Sequence, residues 1–264
     1  GAIATANYTA REFGVKSGLS IQSAKQKLKN RTDSAFLPAD FEYYSEMSEK
    51  SMSIIKKFAD VFEYVGRDEA YLDVSEKVEH DFVKASHIAQ QIKNEVREKT
   101  NLTCSVGISP NKLLSKIASG YKKPDGLTIV TPDKISEFME TLNLEDIHGV
   151  GKKTVQKLAE EGIETISQAK NLDIFVLISM FGRKTGTYIH NAVRGIDDEA
   201  VKIRASMLQL SKIMTLKEDS VDYTFLEKNL FELCEKLYSS IINENKMFRS
   251  VGIYLTQTDL SSKT

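Results

Sequence analysis

The feature that most constrains this 264-residue chain is a change of periodicity at Pro132. Before it, strand-like and helical patterns alternate. Tyr44, Ser48, Ser51, Met52, Ile55, Phe58 and Ala59 recur at helical spacing and predict a helix over about 41–59. Two β-rich runs, 61–65 and 70–74, are joined through Gly66-Arg67-Asp68-Glu69 and predict a hairpin. Phe82, Ala85, Ile88, Ala89, Ile92 and Val96 mark another helix, followed by a strand over 102–108, a short helix from Asn111 and a strand over 127–130. Such alternation implies an α/β layer built on a sheet. From 133 to about 195 only helical periods remain, punctuated by Gly149, Gly151, Gly162, Gly182, Gly186 and Gly195, which predicts a small all-helical domain. The mixed charges of 196–211 (Asp197, Asp198, Glu199, Lys202, Arg204) suit a linker, and a strand over 213–216, a helix over 225–242 and a strand over 248–256 complete a β-α-β unit.

Composition removes several classes. With 41% hydrophobic and 28% charged residues the chain is neither disordered nor fibrous. Its longest apolar stretch, 174–181, is far short of the roughly 18 residues of a membrane span, and no secretory signal opens it. Cys104 and Cys234 form no Cys-x-x-Cys and have no neighbouring His, so neither a disulfide scaffold nor a zinc site is expected. A reducing, intracellular compartment fits this cysteine usage best, and a cytoplasmic location is expected. Thirty-six basic against thirty-seven acidic residues leave a net charge of −1, so any claim of nucleic-acid binding rests on local patches. The opening Gly-Ala-Ile-Ala-Thr-Ala reads as a strand already under way, and 256–264 ends in mid-pattern; both ends are expected to be incomplete.

Four segments carry candidate chemistry. Asp68-Glu69 offers adjacent carboxylates, the oxygens that Mg²⁺ prefers, and in phosphoryl transfer such ions neutralise phosphate charge and activate the attacking hydroxyl. On a flat strand neighbouring side chains face opposite ways, so the pair serves common metals only where the backbone turns. The same dipeptide also suits a solvated turn, and the residues alone leave both readings open. In Thr5-Ala6-Asn7-Tyr8-Thr9-Ala10-Arg11, a helix starting near Asn7 brings Tyr8 and Arg11 to one face, where a phenol and a guanidinium fork suit phosphate oxygens; taken alone, the segment is better explained as an exposed helix start. Tyr121-Lys122-Lys123-Pro124-Asp125-Gly126 presents two lysines on a turn of a kind common on surfaces. Ile147-His148-Gly149-Val150-Gly151-Lys152-Lys153-Thr154 lies between helical periods as a helix-hairpin-helix pattern. Its glycines and lysines favour contact with a DNA backbone over a bare helical corner. His80, His87, His148 and His190 have no partner at recognisable spacing, and Cys104 and 175–181 read as core.

In combination the motifs are more specific. Ala-Thr-Ala-Asn-Tyr-x-Ala-Arg-x-Phe-Gly-Val-Lys at 4–16, Asp-Glu-Ala-Tyr-Leu-Asp at 68–73, Ser-Val-Gly-Ile-Ser-x-Asn-Lys at 105–112, Lys-Pro-Asp-Gly at 123–126 and the Gly-Val-Gly turn at 149–151 resemble the Y-family translesion DNA polymerases, nearest to the DNA polymerase IV branch with its archaeal members. The resemblance implies fingers over 1–37, an α/β (α+β) palm over 38–131 and a helix-hairpin-helix thumb over 132–195. A linker over 196–211 and a partial β-α-β little finger over 212–264 would follow. It implies that Asp68 and Glu69 are catalytic metal-binding carboxylates for two Mg²⁺ ions, and that Thr5, Tyr8, Arg11 and Lys123 hold the incoming nucleotide. Ala2 and Gly18 would roof the nascent base pair, and Gly149, Gly151, Lys152 and Lys153 would grip DNA. Primer-template DNA, deoxynucleoside triphosphates and a sliding clamp are the implied partners, and a monomer the implied state. Two departures stand out: Gly66-Arg67 where the family has Ser-Ile, and Gly120 where relatives often carry Asp. A first palm strand with a third carboxylate and an aromatic residue that excludes ribonucleotides is expected upstream of Gly1. On that expectation the 264 residues alone extend primers weakly or not at all, and robust extension by them would refute it. A non-catalytic DNA-binding scaffold is the alternative; a palm-type cyclase is disfavoured by the thumb turn.

Overall fold

The computed structural model describes residues 1–203, 209–216, 218–259 and 261–263. They belong to two compact units, 1–203 and 204–264.

In the first unit most α-helices start at a side chain that satisfies their orphan amides. Asn7 caps α1 (Tyr8–Glu12), Ser20 caps α2 (Ile21–Lys27) and Asp40 caps α3 (Phe41–Lys56). Strand β1 (Val61–Gly66) turns through Arg67 and Asp68 into β2 (Glu69–Asp73), an antiparallel pair whose register slips between Tyr64 and Gly66. Asp81 caps α4 (Phe82–Thr100), which ends at Asn101 in the left-handed conformation. Then come β3 (Val106–Ile108), α5 (Lys112–Tyr121) capped by Asn111, and β4 (Leu127–Ile129), parallel to β3. Beyond Pro132 the unit is helical: α6 (Ile135–Glu140), α7 (Lys152–Glu160), α8 (Ile166–Lys170) and α9 (Ile174–Ala192), the last bent at Gly182.

Three apolar clusters hold these elements. Val15, Ala24 and Leu28 close the N-terminal segment. Ile54 of α3 packs on Ile92 and Val96 of α4. The largest cluster joins Leu158, Ile166, Leu177 and Ile189 of the helical region to Leu113, Leu114 and Ile117 of α5. One face of α5 therefore belongs to the core of the segment that follows Pro132.

Its other face meets the hairpin. Glu69 and Tyr71 alternate to the same side of β2, and Glu63 pairs with Tyr71 across the ladder. Against them stand Lys112 and Lys116, one turn apart on α5. Lys112 Nζ donates to Glu63 Oε2 at 2.9 Å and lies 5.0 Å from the centre of the Tyr71 ring, while Lys116 pairs with Glu69. Two residues advance a strand by about 6.8 Å and four advance a helix by about 6 Å, so the two periods match over this distance.

Several expectations need correction. The expected sheet consists, among the described residues of the first unit, of two separate two-stranded pieces, β1–β2 and β3–β4, because no ladder joins β2 to β3 there. The strand expected over 102–108 contracts to Val106–Ile108, where β4 supplies carbonyls and amides. Residues 195–203, which include the start of the linker expected over 196–211, are fastened to α5 and β1. Asn111 Nδ2 donates to Gly195 O (2.8 Å), Leu113 N to Asp197 Oδ2 (2.9 Å) and Lys202 N to Glu63 Oε2 (3.2 Å). The remainder of that linker from 204 to 208 lies outside the described residues, as do positions 217, 260 and 264 of the expected little finger.

In the second unit α10 (Tyr223–Asn243) fulfils the helix expected over 225–242, and Asp222 caps it. The strand expected over 213–216 finds no ladder among the described residues, and that over 248–256 contracts to β5 (Leu255–Thr256), which pairs antiparallel with β6 (Ser262–Lys263). A β-rich sequence becomes a strand only where a neighbour takes its backbone hydrogen bonds.

Glu63 is 1% exposed and Lys112 8% exposed, so removing one partner strands a buried charge. Lys112→Ala is expected to lower unfolding free energy by about 3–5 kcal/mol. Glu63→Gln combined with Lys112→Met is expected to recover most of that loss in urea titrations.

Candidate active site and nucleic-acid interface

A cleft of about 600 Å³ opens between β2, α4, β3, α5 and the 198–201 strap. Tyr8, Asp68, Glu69, Lys116 and Lys123 all line it. Asp68 is the second residue of the two-residue turn and Glu69 the first of β2, so the pair sits where the chain reverses. Adjacent carboxylates can face one space there, which they could not do in mid-strand.

Tyr8 is the first residue of α1, and the Arg11 guanidinium carbon stands 5.3 Å from the centre of its ring. Arg11 Nε donates to Ala6 O at 2.9 Å, which steers the side chain back along the helix. Arg11 thus touches the cleft through Tyr8 and is not itself part of the lining. Thr5, Ala2 and Gly18 are also outside the lining, and all three are exposed. Ala2 pairs with Ser20 in an isolated antiparallel bridge, and Gly18 N donates to Ile3 O at 2.9 Å, so Ala2 and Gly18 share one small loop.

The cations are arranged unequally. Lys116 already holds Glu69, and burial, reinforced by nearby Lys123 and opposed by Asp68, draws its ammonium below the ordinary lysine range. The Lys123 amide donates to Gly120 O at 3.4 Å, while its ammonium has no hydrogen bond or ion pair among the described residues. Its turn is tight: a Cβ on Gly126 would stand 2.3 Å from Lys122 O, and Gly126 N donates to Ser105 Oγ at 3.1 Å. Burial, with the carboxylates of Asp197, Glu63 and Glu199, pushes the Tyr71 phenol up, so it remains protonated beside Lys112.

Arg67 leaves this cleft. Its guanidinium carbon stands 5.4 Å from the centre of the Phe41 ring, and its carbonyl accepts a hydrogen bond from Ser48 Oγ at 2.5 Å. Gly120 is exposed, and an added Cβ would meet nothing within 4 Å, so packing does not require a glycine there.

The thumb-like turn lies apart from these groups. Gly149 has φ +84°, and a Cβ on it would meet the Tyr188 ring at 3.0 Å. Tyr188 also donates its hydroxyl to His148 O. Gly151 is the N-cap of α7 with an ordinary extended backbone (φ −84°, ψ 171°) and no side-chain cap. The helix geometry leaves the Lys152 and Lys153 amides without intrahelical acceptors, and both side chains are exposed.

Sequence reasoning missed Lys116. Its signal was present, an i, i+4 repeat with Lys112, but that spacing carries meaning only once α5 is laid against the hairpin.

The chain matches the impB/mucB/samB family over residues 1–120 and the thumb domain of DNA polymerase-iota over 145–197. It is 62% identical over its full length to the DNA polymerase IV of Nitrosopumilus maritimus (strain SCM1), covering 72% of that protein. It is 31% identical over 98% of its length to the DNA polymerase IV of Saccharolobus solfataricus (strain ATCC 35092 / DSM 1617 / JCM 11322 / P2), again covering 72%. Among solved structures it is similar to the Y-family DNA polymerase chimera Dbh-Dpo4(243-245)-Dbh, with TM-score 0.84, 29% identity, and coverage of 100% of this chain and 74% of that one. It is also similar to an insertion ternary complex of Dbh DNA polymerase, with TM-score 0.73, 28% identity, and coverage of 99% and 74%.

Gly149→Ala is expected to cost about 1–3 kcal/mol through its positive φ and the Tyr188 ring. Gly151→Ala, with no neighbour within 4 Å, is expected to cost under about 1 kcal/mol. Thermal unfolding of the two variants measures this difference.

Proposed function

The chain belongs to the Y-family DNA polymerases, in the group named DNA polymerase IV, and from that membership we propose that it joins deoxynucleotides to a primer end under template direction, in the low-fidelity translesion manner. One observation supports assigning the chemistry to particular residues: Asp68, Glu69, Tyr8 and Lys123 line a single cleft.

In this reading the triphosphate tail is received by Lys123, by Tyr8 through its hydroxyl and by Arg11 through its fork, with Thr5 nearby on the same segment. Lys123 is suited to this because its ammonium carries no partner among the described residues. Ala2 and Gly18 cover the nascent base pair with little bulk, leaving room for damaged templates at the cost of steric selection.

Y-family DNA polymerases use divalent metal ions, and the donor chemistry here fits Mg²⁺. Asp68 and Glu69 offer hard oxygens at one turn, and the Lys116 ammonium already pairs with Glu69 as a positive charge would. No group of three or more ligating side chains occurs among the described residues. Mg²⁺ is commonly anchored by one or two carboxylates and completed by water and substrate phosphates. Two such ions, when bound, supply activation of the primer hydroxyl and relief of charge on the departing pyrophosphate. The protein's own part is to orient the carboxylates through the hairpin turn and to fix the triphosphate in line.

The Gly149–Lys153 turn serves the DNA backbone, its free amides and two lysines attracting phosphate without reading bases. Insertion ternary complexes of the similar Dbh polymerase agree with DNA and a nucleotide as partners. A sliding clamp, a monomeric working state and a cytoplasmic location belong to the same proposal. No helix among the described residues is long and apolar enough to cross a membrane. The scaffold alternative is not favoured by the family to which the chain belongs.

The test is primer extension on undamaged and abasic templates by the full-length gene product. Asp68→Asn and Glu69→Gln are each expected to lower the rate by roughly a thousandfold or more, about 4 kcal/mol of barrier, while DNA affinity changes less than about threefold. Extension surviving within tenfold would remove both residues from the chemistry, and an inactive parent that binds DNA would restore the scaffold reading. Replacing Lys152 and Lys153 together by Ala is expected to reduce the log–log salt slope of DNA binding by about 2. An unchanged slope removes them from the interface.

A further inference from the structure

Next to the Lys123 turn, and itself outside the cleft lining although Cys104 and Asp125 belong to it, a largely buried ammonium is occupied in holding the backbone. The Lys93 side chain, on α4, is 10% exposed. Its Nζ donates to Cys104 O at 2.8 Å, to Asp125 O at 2.8 Å and to Asp125 Oδ1, with Gly126 O at 3.5 Å. A lysine has three N–H donors, and three close acceptors surround this one. The other Asp125 carboxylate oxygen accepts from Arg97 Nη2 at 2.8 Å, one helical turn further along α4. Hydrogen bonding from Lys93, aided by the charges of Lys93 and Arg97, holds the Asp125 carboxyl below the usual carboxylate range.

This arrangement has the marks of a support. Asp125 sits at φ +52°, a left-handed backbone that persists in a non-glycine residue only when its surroundings enforce it. Lys93 supplies that enforcement through the carbonyl and the carboxylate of the same residue, and through Cys104 it ties the turn to the residues leading into β3. The α4 helix beneath is anchored by buried Ala89, Ile92 and Val96, so the ammonium stands on a rigid base. Two residues upstream of Asp125 is Lys123, which lines the cleft, whereas Lys93 does not.

We propose that Lys93 is a positioning residue: by clamping Asp125 and the Cys104 carbonyl, it fixes the turn that presents the Lys123 ammonium to the triphosphate of the incoming nucleotide. The inference rests on the reading of Lys123 given above. A charge held in place before the nucleotide arrives loses no freedom on binding, so the benefit appears in nucleotide affinity. Arg97 makes the weaker contribution, because its own side chain is largely exposed.

Steady-state primer extension by the full-length enzyme, with the deoxynucleotide varied, separates the possibilities through four proteins: wild type, Lys93→Met, Lys123→Ala and the double variant. Lys93→Met is expected to raise KM for the nucleotide roughly tenfold with kcat changed less than about threefold, since binding and not the chemical step is disturbed. The double variant is expected to match Lys123→Ala within about twofold, because a support has nothing to contribute once the residue it supports is gone. A raised KM in Lys123→Ala with an unchanged KM in Lys93→Met overturns the positioning role alone. So does a double variant showing the product of the two single effects. An unchanged KM in Lys123→Ala overturns instead the assignment of Lys123 to the triphosphate. Should Lys93→Met fail to fold, Asp125→Asn carries the same test. It retains the side chain's size and a residue type tolerant of the left-handed region, and it is expected to raise KM at least threefold; an unchanged KM there overturns the proposal. Faster amide hydrogen exchange over 122–126 in either variant is the accompanying expectation, and unchanged exchange counts against the clamp.

Discussion

Everything in the first unit that faces the cleft depends on the meeting of the hairpin and α5 through Glu63 and Lys112. Both groups are buried, and each would carry a large desolvation cost if left alone. Their pairing sets the hairpin against the helix, so Lys116, one turn beyond Lys112, falls on Glu69 beside the hairpin tip. The same Glu63 carboxylate accepts the Lys202 amide, while Asp197 receives the amide of Leu113 at the start of α5. One polar centre thereby ties together β1, α5 and the strap that leaves the helical region.

Around that centre the charges are graded by how firmly they are held. Lys112 and Lys93 are enclosed and fully engaged, Lys116 is partly exposed and paired with Glu69, and the Lys123 ammonium is presented at the cleft with no partner among the described residues. Such a gradation suits a site that must be rigid in its frame and open in its ligand contacts. Desolvated ion pairs supply the rigidity because their geometry cannot relax into water, and the unpaired ammonium is left for an anionic guest. Arg67, next to the carboxylates in sequence, takes no part, because stacking on Phe41 draws it to the other side of the turn.

Much of the architecture was legible along the chain where the signal was local. The helices α3, α4, α5 and α10 have apolar faces at helical spacing and a capping side chain in front, and these signals act within a few residues. The hairpin was legible for the same reason. Strands depending on remote partners were not. The stretches 102–105 and 213–216 have the composition of strands, yet a ladder exists only where another segment offers carbonyls and amides at the right spacing. The 196–203 strap reads as a linker because its charges have no periodicity. Its attachments are to Asn111, Leu113, Lys112 and Glu63, residues more than eighty positions distant.

For the candidate site the division is similar. The order of residue types along the chain was enough to propose Asp68 and Glu69 as carboxylates at a turn, Tyr8 and Arg11 on one helix face, Lys123 on a tight loop and the Gly149–Lys153 turn as a phosphate contact, since each follows from neighbours a few residues apart. Only tertiary structure decided that Tyr8, Asp68, Glu69 and Lys123 share one cleft, that Arg67 turns away, and that Lys116 and Lys93 belong to the surroundings of these groups. Those outcomes rest on which buried charges find partners across the fold, and the strength of such pairing is set by distance and burial in three dimensions, to which spacing along the chain is blind.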